Sequence, residues 1–153
     1  MLKNSIYPEI LICTICVFIF LSNVCLAGVK INEFLAANDS INQDPQGDYD
    51  DWIELYNSGT ETIDLSGYYL TDDLDDLTQW PFPQGTTLDG GDYILIWADK
   101  DTSDNPSGIH SNFKLSAGGE YIGLIESDGT TIVDSITFNE QNDNVSYLSL
   151  IHI

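Results

Sequence analysis

The chain has 153 residues, with 25 acidic against 4 basic side chains, no arginine, and a net charge of −21. Nucleic-acid binding rests on lysine and arginine neutralising phosphates, so this balance excludes it. The length beyond an apolar leader suits one domain, which can bury roughly two-thirds of its unfolded surface.

The leader comes first. Lys3 supplies a positive start, and Ile10 to Leu21 form a twelve-residue apolar run, ILICTICVFIFL. That is short of the ~20 residues that span a bilayer, and Ala27 suits cleavage before Gly28. Residues 1–27 are therefore expected to be a helical secretory signal peptide, and the protein to be exported to the medium or the cell surface. Two other readings stay open: a retained N-terminal anchor, and lipidation at Cys25, for which Leu21 sits one place too far upstream. Cys13, Cys16 and Cys25 all lie in this leader, so Cys13-x-x-Cys16 is neither a redox nor a zinc motif, and the exported domain has no disulfide.

Val29–Ala37 reads as a strand with Ile31, Glu33 and Leu35 on one side. A long polar loop, Asn38–Asp51, follows. In DWIELYN, Ile53 and Leu55 point one way and Trp52, Glu54 and Tyr56 the other, as period-two geometry requires. Asn57-Ser58-Gly59 breaks the strand, Gly59 being able to supply a positive φ. Ile63 and Leu65 resume the apolar face, and Ser66-Gly67 allows a sharp bend into the strand Tyr68–Thr71. Asp72–Asp76 is an acidic turn. Thr78–Phe82 is a short edge segment, marked as such by Pro81 and Pro83. Thr87–Gly91 is a tight turn, and YILIW at Tyr93–Trp97 is apolar on both faces, the pattern of a buried central strand. Asp99–Gly108 is an irregular loop. Phe113–Leu115, Tyr121–Ile125 and Thr131–Phe138 are further strands, the last two joined by a hairpin turn at Ser127–Thr130. No stretch after residue 28 holds a 3.6-residue period, so almost no helix is expected there. Short strands between Asp/Asn/Gly/Ser loops are how a sandwich reads.

The run WIELYN at 52–57 followed by IDLSGYYLTDD at 63–73 resembles the lamin tail domain family, in its bacterial secreted branch. INEFLAAN at 31–38, FKLSAGGEYIGL at 113–124 and DGTTIVDSITF at 128–138 extend the resemblance over about 29–147. Tyr68 stands where the family usually has tryptophan. The resemblance implies an all-β, immunoglobulin-like antiparallel sandwich, and a domain appended to larger extracellular proteins, with no catalytic residues of its own. The coiled-coil rod of the filament-forming members has no counterpart here, so a cytoskeletal role is not implied. The closing Leu148–Ile153, LSLIHI, is what a transposase sequencing adapter gives when translated. The expectation is that the natural sequence continues differently after Tyr147 and that the chain is the N-terminal piece of a longer protein.

The chemistry legible in the residues is sparse. A Ser-His-Asp arrangement has only His110 to use, in a loop-to-strand junction, where a surface or capping histidine is the plainer reading. Zinc wants several Cys or His ligands, and beyond the leader the chain has no cysteine and only His110 and His152, so a zinc site is not expected. Glu54 is the one acid set among large apolar residues, a position that suits the rim of a sheet better than a glycosidase pair. Calcium takes six to eight oxygens from Asp, Asn and carbonyls in loops. Of three acidic loops, at 44–51, 72–76 and 99–104, the first is the leading candidate, with Asp44, Asp48, Asp50 and Asp51 as ligands held by the rigid strand that follows. The plainer reading of each is a solvated acidic loop, with no cofactor. Trp80, in its proline-flanked edge segment, is the candidate for stacking on a carbohydrate. The expected function is a non-catalytic extracellular module that contacts a protein or cell-surface component. A calcium-dependent or carbohydrate-binding adhesive module, or an accessory domain of a secreted hydrolase, stays open beside it.

Overall fold

The computed structural model of the chain describes residues 28–101 and 107–149. The expected signal peptide and its cysteines lie outside these residues, as do the last four positions of the chain. The described elements are all strands: β1 (Val29–Leu35), β2 (Asp51–Asn57), β3 (Ile63–Asp64), β4 (Tyr69–Thr71), β5 (Trp80–Pro81), β6 (Thr87–Leu88), β7 (Tyr93–Ala98), β8 (Tyr121–Ile125), β9 (Ile132–Thr137) and β10 (Tyr147–Leu148). One sheet has the order β10-β1-β2-β7 and the other β5-β4-β8-β9, with β3 and β6 forming a small separate ribbon. Every strand pairing is antiparallel. Among the described residues no helix is long and apolar enough to cross a membrane.

The alternation read in DWIELYN is what closes the two sheets on each other. Ile53 and Leu55 are fully buried in the main core with Ile31, Phe34 and Ile96 of their own sheet and Leu70, Trp80, Ile122 and Leu124 of the other. Each such side chain contributes roughly 1.5–3 kcal/mol by leaving water. The other face of β2 carries Trp52, which packs with Leu35 and Trp97 in a second, smaller cluster on the outside of the sheet. Leu65 is fully buried, and Gly67 takes φ +79°, so the Ser66-Gly67 bend needs a residue without a Cβ.

Four expectations change. In β1 the register slips between Ile31 and Glu33, so the parity of the strand reverses there. Ile31 and then Phe34 face the core, while Leu35 turns outward, because a bulge puts one extra residue into the strand. The YILIW strand is not central: β7 pairs only with β2 and lies at the sheet edge, with Tyr93 56% exposed. Its apolar second face is explained by what lies over it. Trp97 bridges to His110 and Asp99 to Lys114, so the segment 107–114 covers the end of the edge strand. Phe113–Leu115, expected as a strand, contributes only that bridge at Lys114, although Phe113 is buried. Thr87 and Leu88, expected inside a turn, form β6 against β3, and the turn itself begins at Asp89, whose carbonyl accepts the Asp92 N–H.

Candidate functional site

Two places concentrate polar chemistry or open surface. The first is a buried knot where the 44–48 loop and the 107–111 segment meet the end of β7. Asp44, Asp99 and His110 bring one ligand atom each to within 4.8 Å of one another, and among the described residues no other trio of His, Cys, Asp or Glu does so. His110 is 7% exposed, which removes it from the surface where the sequence placed it. Its Nδ1 lies 2.6 Å from Asp99 Oδ2 and its Nε2 2.9 Å from the Ser107 carbonyl. A carboxylate and a carbonyl both accept, so the protonated ring is the form that satisfies both partners. Burial pulls its pKa down, but the Ser107 carbonyl and the Asp99 carboxylate outweigh that and hold it above the ordinary histidine value.

Asp44 is equally occupied. Its Oδ1 accepts the N–H groups of Gln46, Gly47 and Asp48 at 2.9, 2.7 and 2.8 Å. With its amide set by the surrounding network, Gln46 donates to Asp44 Oδ2 at 2.6 Å and accepts from Ser107 N at 3.2 Å. Gly108 lies between these groups at φ +96°, and a Cβ there would come within 3.3 Å of His110 and Pro45 and 3.5 Å of Trp97. The knot thus staples two loops over Trp97.

A general base needs a ring nitrogen facing a hydroxyl. Here Nε2 is spent on a main-chain carbonyl, and the nearby Ser111 hydroxyl donates to the Phe113 carbonyl. The geometry is that of a structural ion pair.

The four carboxylates singled out for calcium are dispersed by function. Asp48, Asp50 and Asp51 belong to no close trio, and Asp44 joins Asp99 and His110 instead. Asp51 accepts the Asn38 N–H at 3.0 Å, and burial pushes its pKa up to about 6. Burial and the Asp99 carboxylate also raise Asp50, which sits 3.8 Å from Lys114. Calcium ligation wants several convergent oxygens with lone pairs to spare, and Asp44 Oδ1, already accepting three N–H groups, fits that poorly. The second acidic loop is organised around a hydroxyl: buried Thr71 Oγ1 accepts the Asp73 N–H and lies 2.9 Å from the Asp73 and Asp76 carbonyls.

Trp80 is not a platform. It is 8% exposed, with its ring edge-on to Phe82 at 4.8 Å. β5 is an edge strand, as its prolines predict, but alternation sends Pro81 outward and Trp80 in. Asp99 and Gln46, which the sequence offers only as members of acidic loops, organise the knot, and Asn38, not singled out there, pins the neighbouring loop. Asn38 donates to the Asn42 and Asp50 carbonyls and accepts from Ile41 N, a pinning role that a lone Asn at a strand end can signal.

The second place is a groove of about 610 Å³ at the seam between the sheets, where β1 of one runs beside β9 of the other. Ile63, Tyr68, Ile132 and Val133 give it apolar walls, and Lys30, Glu126 and Asp134 charged ones. Asp134 crosses the seam to accept the Ile31 N–H at 2.9 Å.

Among curated proteins no sequence matches the chain. The family model described as Lamin Tail Domain matches residues 26–140, which covers both sheets up to the end of β9 and the knot that closes over Trp97. The chain therefore belongs to the Lamin Tail Domain family, a family of non-catalytic immunoglobulin-like domains.

Proposed function

We infer that the chain is an interaction module of an exported protein, binding a protein or cell-surface component through its strand edges and loops rather than transforming a substrate. The observation that carries this reading is the state of His110: buried, doubly hydrogen-bonded and locked to Asp99, in a family of non-catalytic domains. The apolar run at 10–21 supports export, and the net charge of −21 supports a partner that is not a nucleic acid. No resident metal is proposed, since Asp44 and Asp51 of the leading loop already serve as acceptors for main-chain N–H groups. Cross-linking of the full chain to an extract of its own cell envelope, read by mass spectrometry, tests the reading together with a glycan array. The expected result is cross-links to one protein component and a blank array. Selective glycan binding would favour a carbohydrate module. Turnover of a glycoside or ester substrate that His110→Gln abolishes would overturn the reading.

A further inference from the structure

We propose that the open edge of β7 at Tyr93–Leu95 is a strand-addition site, which takes an extended segment bearing lysine or arginine from a partner protein. The assignment rests on the reading of the chain as an interaction module and gives that module a surface.

The ladder fixes which main-chain groups of β7 face outward. The Asn57 N–H donates to the Asp92 carbonyl, one step beyond the Tyr56–Tyr93 pair, so residue 92 faces β2. Alternation then turns Ile94 and Ile96 toward β2, and Tyr93, Leu95 and Trp97 away from it. Trp97 agrees independently. Its N–H donates to the Ile109 carbonyl and its carbonyl accepts the Ser111 N–H, both on the outer side. The edge thus already serves as a template, at one residue, for another segment of this chain. That segment goes no further along it: Gly108 turns at φ +96°, and the Ser107 carbonyl is held by the His110 ring. Apart from the bridges at Trp97 and Asp99, β7 pairs only with β2. Among the described residues, the outward N–H and carbonyl groups of Tyr93 and Leu95 have no partner.

The edge is also unguarded. Of the other described edges of the two large sheets, β5 and β10 are two residues long, β5 with Pro81, and β9 carries Asp134 and a register shift. β7 runs six residues in unbroken register with β2, without a charge, proline or bulge. Where it is open, both of its faces are apolar. On the outer face Tyr93 is 56% exposed and stacks on Tyr56 at 4.6 Å, and Leu95 packs against the cluster of Trp52 and Trp97. On the inner face Ile94 is half-buried against the main core. An added strand would cover these side chains with its own alternate residues.

Charge selects the occupant. Asp89 and Asp92 are exposed on the turn that leads into Tyr93, and Glu54 lies opposite Leu95, with one oxygen on the Asn32 amide. Of the three described lysines, Lys30 pairs with Tyr56 from the far side of β2 and lines the seam groove, while Lys100 and Lys114 lie past Ala98, beyond the other end of β7. In a chain of net charge −21 this strip attracts a basic strand and repels an acidic one, a second copy of the chain included.

The test uses the full chain and three capped heptapeptides: alternating valine and lysine, alternating valine and glutamate, and the lysine peptide methylated on every main-chain nitrogen. Isotope-edited NMR reads the contact. The lysine peptide is expected to bind and to shift the amide signals of Tyr93 and Leu95. The glutamate peptide should bind about tenfold more weakly, two charge pairs being worth roughly that much together. The methylated peptide keeps its charges but has no donors for the edge, and should lose binding. Tyr93→Pro removes an outward donor while sparing the β2 ladder, and should abolish the Leu95 shift. Asp92→Lys, at an exposed turn position, should narrow the gap between the lysine and glutamate peptides. Equal binding of the methylated and unmethylated peptides, an unchanged gap in Asp92→Lys, or shifts confined to another face would overturn the site. Slow hydrogen exchange of the Tyr93 and Leu95 amides with no peptide present would also overturn it, by showing that the chain covers the edge itself. So would a dimer of the chain that Tyr93→Pro dissolves, by showing that a second copy holds the edge. Cross-links to a partner that survive Tyr93→Pro would sink this assignment and leave the module reading standing.

Discussion

Asp51 keeps its proton to about pH 6 because it is partly buried where the first loop meets β2, and the Asn38 N–H only partly offsets that burial. A carboxyl whose folded pKa lies above its unfolded value favours the folded state while it is protonated. Its contribution is therefore lost as pH rises from about 4 to about 6, and the folded state carries an unfavourable charge above that. Asp51→Asn keeps an oxygen for the Asn38 N–H and removes the charge. It is expected to raise stability at pH 8 by about 1 kcal/mol, after discounting for the solvent that still reaches the group, and to flatten the pH 4–6 slope. Urea unfolding at several pH values measures both; unchanged stability at pH 8 would refute the account. This residue also shows the limit of sequence reading at the finest scale. A carboxylate written beside other carboxylates reads as a cation ligand. Whether it points at solvent, a cation or a neighbouring N–H depends on where Asn38 lands, thirteen positions away.

At the scale of elements, periodicity carried the reading far. β2 lies where its alternation places it, because one face had to be buried and a one-residue slip would expose it, and β8 lies at the expected Tyr121–Ile125, buried on both faces. Parity could not survive the bulge in β1, since nothing local in KINEF marks the extra residue. Nor could YILIW reveal that its second face is covered by a loop rather than by another layer of strands. Trp80 points inward for a related reason that the sequence hides: prolines mark an edge but do not say which way its side chains alternate. Trp80→Ala is expected to cost about 3–5 kcal/mol, the range for emptying a large aromatic site in a core, and to leave glycan binding unchanged. Chemical denaturation gives the first number and an array the second.

The same scale holds the His110 staple, which joins the segment 107–111 to the end of β7. A histidine with a raised folded pKa stabilises the fold fully below its ordinary value, and that contribution is lost as pH climbs through the raised one. The staple should therefore loosen above neutral pH, opposite in cause to Asp51 and in a higher window. His110→Gln leaves either Asp99 or the Ser107 carbonyl short of a donor. It is expected to cost about 3–5 kcal/mol near pH 6 and progressively less in alkali. Thermal melts of the two proteins across that range should converge as pH rises; parallel curves would show that His110 is neutral in the fold.

For the whole molecule the governing quantity is a net charge of −21 on one sandwich. Self-repulsion of that size opposes compaction, and mobile ions relieve it without any specific site. The composition invites a calcium reading, because loops rich in aspartate look alike whether they bind an ion or merely meet water. What distinguishes the two cases physically is where the lone pairs go. Asp44 gives one oxygen to three N–H groups, Asp51 gives one to Asn38, and Asp99 divides itself between His110 and the Asp101 N–H. A cation would have to displace these bonds before gaining its own ligands. Raising sodium chloride from low to physiological strength is therefore expected to increase the melting temperature by general screening. Millimolar calcium added on top of physiological salt should add nothing further, and isothermal calorimetry should register no saturable heat. A calcium-specific rise in melting temperature, abolished by Asp44→Asn, would show instead that the first loop trades its internal hydrogen bonds for an ion.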